Sequence, residues 1–205
     1  MSASPPSRHR IDLSRLDPAK TYHLMISAIV PRPIAWVSTR AADGRTNLAP
    51  FSFFQGVCAE PPILMLSIAA HKRSGETKDT LRIVRETGEL VVNVVAAPLI
   101  ESAVASAEER AYGDSEIDAL GLETFPAERV SAPCVSASPV NLECRLEREV
   151  AVGNCSALFC EILLAHVAPE VMDERGTIDP ERLRPWGRLG GSYYMPFERA
   201  VRVPR

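Results

Sequence analysis

The chain has 205 residues, a length that suits one domain. Hydrophobic residues are 46 % and charged residues 24 % of it, ordinary for a soluble globular protein. The formal net charge of -3 argues against general nucleic-acid binding, and the longest apolar runs are too short to span a bilayer.

The first residues, MSASPPSRHRIDL, lack the apolar stretch of a secretory signal. Residues 1–20 read as a flexible tail and 21–205 as one domain. Residues 34–40 are rich in β-formers and predict a strand. Asp43-Gly44 is a turn signal, and residues 46–57 are expected to return as a second strand. Pro50 within it indicates an edge position or a bulge. Glu60-Pro61-Pro62 turns the chain into a third strand over 63–69, almost continuously apolar. Residues 71–78 read as a polar loop. Thr77 or Asp79 is expected to cap a helix that ends at Gly88, with Leu81, Ile83 and Val84 on its apolar face.

A strand follows over 90–95, then an Ala-rich helix over 99–109. Irregular structure is expected for 112–129. Residues 140–152 alternate, with Leu142, Cys144 and Leu146 on one face and Asn141, Glu143, Arg145 and Glu147 on the other. That pattern predicts a half-buried strand with Glu143 exposed and Cys144 a buried thiol. Residues 157–167 form a long apolar strand in which His166 reads as a core histidine. The Gly- and Pro-rich run 172–194 is expected to wrap over the surface. Strands in hairpin-like order with two short helices suit an antiparallel β-barrel.

The sequence lacks the motifs of several enzyme classes. It has no G-x-G-x-x-G, no phosphate-binding G-x-x-x-x-G-K-[ST], no G-x-S-x-G and no H-E-x-x-H. Cys58, Cys134, Cys144, Cys155 and Cys160 are odd in number and contain no C-x-x-C pair. They predict reduced thiols in a cytoplasmic protein, with no metal site. Lys78-Asp79-Thr80 stands at a helix start, where free N–H groups favour a phosphate. His71, Lys72 and Arg73 make the preceding loop basic. Trp36 reads as packing.

The run PRPIAWVSTRAADGRTNLAPFSFF, followed by PPILMLSI, KDT and LEC at 142–144, resembles the flavin reductase-like family, the split β-barrels related to flavoredoxin. The resemblance spans about residues 22–194. It implies an antiparallel split barrel, a homodimer and FMN near the subunit interface. Matched by position, it implies that Arg32 and Pro33 lie beside the flavin. Ser38 and Thr39 would meet the ring and ribityl chain. Asn47, Ala49, Pro50 and Ser52 would line the ring edge and approach the phosphate. Lys78, Asp79 and Thr80 would lie at the phosphate and ribityl end. Arg73 and His71 are further candidates for the phosphate or a pyridine nucleotide. The Gly190-Gly191 and Tyr193-Tyr194 run resembles a segment that approaches the cofactor, and either tyrosine fits.

The activity so implied is hydride transfer from NADH or NADPH to flavin, with a flavin-dependent monooxygenase as a possible electron acceptor. Such chemistry is carried by the cofactor and needs neither nucleophile nor metal. Two alternatives stand beside it: an FMN-bearing electron carrier, and a non-catalytic split barrel that binds another planar ligand.

Overall fold

A computed structural model describes residues 8–203 of the chain. Residues 1–7 of the expected tail lie outside the described residues. Asp12 caps a short 3-10 turn at Leu13–Arg15. Asp17 then starts helix α1, Pro18–Ala28, its carboxylate accepting from the Ala19 N–H at 2.8 Å. Asp before Pro at the first helical position is a strong start signal. No helix is expected there from the sequence pattern.

The strands follow as β1 (Arg32–Pro33), β2 (Ala35–Arg40), β3 (Thr46–Phe51), β4 (Phe54–Ala59) and β5 (Pro62–Ala69). Helix α2 (Asp79–Thr87) precedes β6 (Glu89–Val94), α3 (Ile100–Ala105) and α4 (Glu116–Ala119). A two-residue ladder of β7 (Thr124–Phe125) and β8 (Cys134–Val135) leads to the long hairpin β9 (Val140–Val152) and β10 (Cys155–Val167). Helix α5 (Pro180–Leu183) and strands β11 (Trp186–Arg188) and β12 (Tyr194–Pro196) complete the described elements.

Seven strands form one antiparallel sheet in the order β3-β2-β6-β9-β10-β5-β4. Its two edges, β3 and β4, are joined by Ser52 and Phe53 alone. Two linking residues hold the edges within about 11 Å, whereas a flat seven-stranded sheet would set them about 29 Å apart. The sheet therefore curls until its edges nearly meet, giving a split β-barrel with the split at Ser52-Phe53. Pro50 lies on edge strand β3, where a missing N–H costs the ladder least.

The barrel interior holds Ala35 and Val37 of β2, Leu64 and Leu66 of β5, and Leu158 of β10. Leu81 and Val84 of α2 close it. On the other side of β2, Trp36 packs with Ile34, Leu48, Val95 and Leu99. Strand β2 is thus buried on both faces, and Ser38 and Thr39 are fully buried with it.

Several expectations are corrected. The strand expected over 46–57 is two strands, because the edge-to-edge crossing interrupts it at Ser52-Phe53. Neither Thr77 nor Asp79 caps α2: Lys78 is its N-cap residue and makes no side-chain capping hydrogen bond. Gly88 ends the helix in the left-handed region at φ 72°, as expected. The helix expected over 99–109 stops at Ala105, and the 112–129 segment contains α4.

Glu143 is not exposed. The 128–129 backbone covers it, its two oxygens accepting from the N–H groups of Glu128 and Arg129 at 2.9 and 2.6 Å. His166 is a half-buried partner of that carboxylate at 2.6 Å rather than a core histidine. Burial alone would raise the Glu143 carboxyl, but the two amides and His166 hold it below its ordinary value.

Candidate functional site

A continuous cleft runs along the split. Its middle is lined by Pro50 and Phe51 of β3, Ala69 at the end of β5, and Ala107 of the loop after α3. Volumes of about 280 and 250 Å³ lie on either side of this apolar waist, and an open basin of about 560 Å³ follows beyond Lys78. The Ala107 wall is held by Trp36, whose indole N–H donates to Ser106 Oγ at 2.8 Å; Ser106 in turn donates to the Ala103 carbonyl at 2.9 Å.

The basin end carries both signs of charge. Lys78, Arg73 and Lys72 line it beside His71, with Glu108 and Glu109 among them. The Glu109 carboxylate accepts from the Arg73 backbone N–H at 3.1 and 3.3 Å and from Lys78 Nζ at 3.3 Å. The Arg73 N–H and the Lys78 ammonium lower the Glu109 pKa. An N–H group and an ammonium thus already converge on one oxyanion here.

Beneath this end lies a buried polar floor. Lys72, 8 % exposed, donates to Asp79 Oδ2 at 2.6 Å and to the Arg110 carbonyl at 3.0 Å. Asp79 Oδ1 is buried without a partner among the described residues. Asn47 donates to Thr80 Oγ1 at 2.8 Å. Edge strand β3 leaves the Leu48 N–H without a ladder partner, and Glu116 Oε2 accepts it at 2.9 Å. Burial pushes the Glu116 carboxyl up, the Leu48 N–H opposes this, and the nearby Asp79 charge adds to the rise.

The opposite end holds Arg32, Ser52, Phe53, Tyr22, Arg188 and Tyr194. Arg32 is a clamp. Its guanidinium donates to the carbonyls of Ile26, Ile29 and Leu189 at 2.6, 2.7 and 2.9 Å, and to Ser52 Oγ at 3.3 Å. It thereby fixes the end of α1 and the strand β11 exit around the split. Gly190 packs against α1 so closely that a Cβ there would lie 2.7 Å from Ser27 Oγ.

The residues marked in the sequence therefore divide. Asn47, Ala49, Pro50, Lys78, Asp79 and Thr80 converge on one half of the cleft, with His71 and Arg73 at its mouth. Arg32 and Ser52 lie at the other end. Ser38 and Thr39 do not line the cleft. The Ser38 hydroxyl donates to the Pro133 carbonyl at 2.6 Å and accepts from Asn93 at 3.1 Å, so it belongs to the core network. Pro33 faces a separate apolar groove with Phe54, Trp186, Met195 and Phe197. Tyr194 lines the cleft, whereas Tyr193 is 75 % exposed and does not. The sequence reading missed Lys72, Glu109, Glu116 and Arg188 as site residues. Only Lys72 carried a visible signal, its place in the basic loop.

Among the described residues the cleft shows no activated nucleophile. Its one thiol, Cys155, hydrogen-bonds only to the side chain of Asn154, at 3.5 Å. The cleft is a long slot with an apolar waist, ionic groups of both signs at one end and hydrogen-bonding groups along its floor. Residues 26–186 match the family described as the flavin reductase like domain. The chain belongs to that family. It is therefore a flavin-related oxidoreductase, and the split barrel is its fold. The chain is 40 % identical over 174 residues to an uncharacterized protein of Aquifex aeolicus, covering 85 % of this chain and 88 % of the relative.

Among solved structures, it is similar to nitrilotriacetate monooxygenase component B from Bacillus cereus. The TM-score is 0.91 at 29 % identity, with 97 % of this chain and all of the other covered. It is also similar to the Pseudomonas fluorescens 2-nitrobenzoate 2-nitroreductase, with a TM-score of 0.87 at 28 % identity and 96 % of each chain covered.

Proposed function

We propose that residues 21–205 form one FMN-binding domain that oxidises NADH or NADPH and passes the hydride to flavin. The observation that carries this reading is the oxyanion seat at the basin end. The Arg73 N–H and Lys78 Nζ already hold the Glu109 carboxylate there. A phosphate has the same chemistry with more charge, and the N-terminus of α2 beside it favours an anion. The single terminal phosphate of FMN suits this seat at the end of the cleft.

The residues fit the rest of the cofactor as well. The unpartnered Asp79 Oδ1 is a buried acceptor that a ribityl hydroxyl would satisfy. The waist of Pro50, Phe51, Ala69 and Ala107 offers apolar walls to the ring. Asp79 would not touch the phosphate; it neutralises Lys72 and sets the floor. When bound, the flavin supplies the hydride chemistry, and the protein binds, orients and shields it. The likeness to a monooxygenase component supports an oxygenase partner that consumes reduced flavin. The apolar groove at Pro33 and Trp186 supports a homodimer.

The test is the visible spectrum of the purified protein with added FMN, before and after NADH or NADPH under nitrogen. A bound flavin that bleaches supports the reading. A bound flavin that bleaches only with dithionite or a partner protein shifts it to an electron carrier. A protein that takes up no FMN overturns both.

A further inference from the structure

At the end of the cleft away from Lys78, two guanidinium groups face a wall without a carboxylate: no Asp or Glu lines this end among the described residues. The two differ in how fully they are engaged. A guanidinium carries five N–H donors. Arg32 has four hydrogen bonds, to three carbonyls and Ser52. Among the described residues Arg188 has one, from NH2 to the Gly191 carbonyl, and pairs with no carboxylate.

Its Cζ lies 4.2 Å from the Tyr194 ring centroid, a cation–π contact that holds the group against that ring. Burial, and then the neighbouring Arg32 charge, lower its pKa, as expected of a cation held without a counter-ion. Such a group is unfavourable alone and gains from an oxyanion that takes its free fork.

We propose that Arg188 is the receptor for an oxyanion of the second substrate, a planar ring compound carrying a carboxylate or phosphate. The inference rests on the flavin reading in one respect only, that a cofactor fills the other half of the cleft. Tyr22, 53 % exposed and edge-on to Phe53 with centroids 6.4 Å apart, supplies an aromatic wall beside that receptor. Arg32 acts as a positioning residue, since its clamp on Leu189 fixes the residue next to Arg188.

Two sources could present the oxyanion: the phosphates of a nicotinamide dinucleotide, or the carboxylate of an aromatic acceptor. The probes are NADH, benzoate and its neutral counterpart benzamide, measured on protein supplied with FMN. Affinities come from calorimetry and steady-state turnover for wild type, Arg188→Gln and Arg188→Lys. Removing a charge-assisted pair is expected to cost about tenfold or more. A rise of about tenfold in the KM for NADH at unchanged kcat assigns the dinucleotide. A similar fall in benzoate affinity, with benzamide unmoved, assigns an aromatic acid.

Arg188→Lys keeps the charge but not the fork and is expected to lose less; it also serves should Arg188→Gln not fold. If neither NADH nor benzoate responds, or benzamide weakens equally, the assignment is wrong. FMN uptake is measured separately. A protein that binds no FMN but still discriminates benzoate from benzamide through Arg188 keeps this site and loses the flavin reading.

Discussion

The oxyanion seat makes a prediction with two opposite signs. Lys78→Ala removes the ammonium that reaches Glu109 at 3.3 Å, and Glu109→Gln removes the resident carboxylate charge. If FMN phosphate takes the place of Glu109, the two substitutions must move affinity in opposite directions. Hydrogen bonds to charged groups contribute about 1.5–3 kcal/mol, and the half-exposed setting of Lys78 reduces that to about 1–2 kcal/mol. Lys78→Ala should therefore weaken FMN about five- to thirtyfold. Glu109→Gln frees the Arg73 N–H and the ammonium, and should tighten FMN about two- to fivefold, with the gain shrinking as salt rises. Fluorescence quenching of FMN on titration with protein, at low and at high salt, reads both. A Glu109→Gln protein that binds FMN more weakly than wild type refutes the competition. An unchanged Lys78→Ala removes the lysine from the seat.

Other consequences follow from the frame. Glu143→Gln places an NH₂ group against one of the two backbone donors that the carboxylate satisfies, and should cost about 2–4 kcal/mol, lowering Tm by about 5–15 °C in thermal melts. Because the folded pKa of Glu143 is depressed, its contribution is present above the ordinary carboxylate range and is lost as pH falls through the folded value. Wild-type stability should drop there, and the Gln variant should show a smaller drop; equal pH profiles contradict the account. Gly187→Ala brings a Cβ within 2.8 Å of the rigid Pro31 ring and should destabilise by about 1–3 kcal/mol in urea titration; a neutral effect means the β1–β11 contact is looser than described. Burial pushes the Cys134 and Cys160 thiols up to about 12 and the Cys144 thiol higher still. Only Cys58 and Cys155 should therefore react quickly with a disulfide reagent at pH 8, and rapid labelling of three thiols contradicts this.

Much of the frame was legible because its causes are local. The strand over 140–152, the turn at Asp43-Gly44 and the Gly88 stop each follow from the steric and hydrogen-bonding needs of a few neighbouring residues. The clustering of Lys78, Thr80 and Asn47 was legible only through the resemblance, since β3 and α2 meet across 33 residues of chain.

The errors share a cause. A polar residue in an alternating strand reads as exposed, but Glu143 is covered by the 128–129 backbone and by His166 from the next strand. Ser38 reads as a ligand group, yet its partner is a carbonyl 95 residues away. The choice between Tyr193 and Tyr194 depended on register: Tyr194 pairs with Arg188 across β11 and β12 and so turns toward the cleft.

By itself, then, the sequence determined most of the long barrel strands and their turns, because propensity and turn chemistry act within a few residues, and its motifs in order carried the family resemblance. The tertiary structure decided which polar groups remain available to a ligand. Curling the sheet until β3 and β4 nearly meet leaves Ser38 and Thr39 inside the core, makes Arg32 a clamp, and opens Lys78 and Arg188 at the two ends of one cleft. Whether a hydroxyl or a guanidinium is engaged depends on partners that only chain closure brings within hydrogen-bond reach.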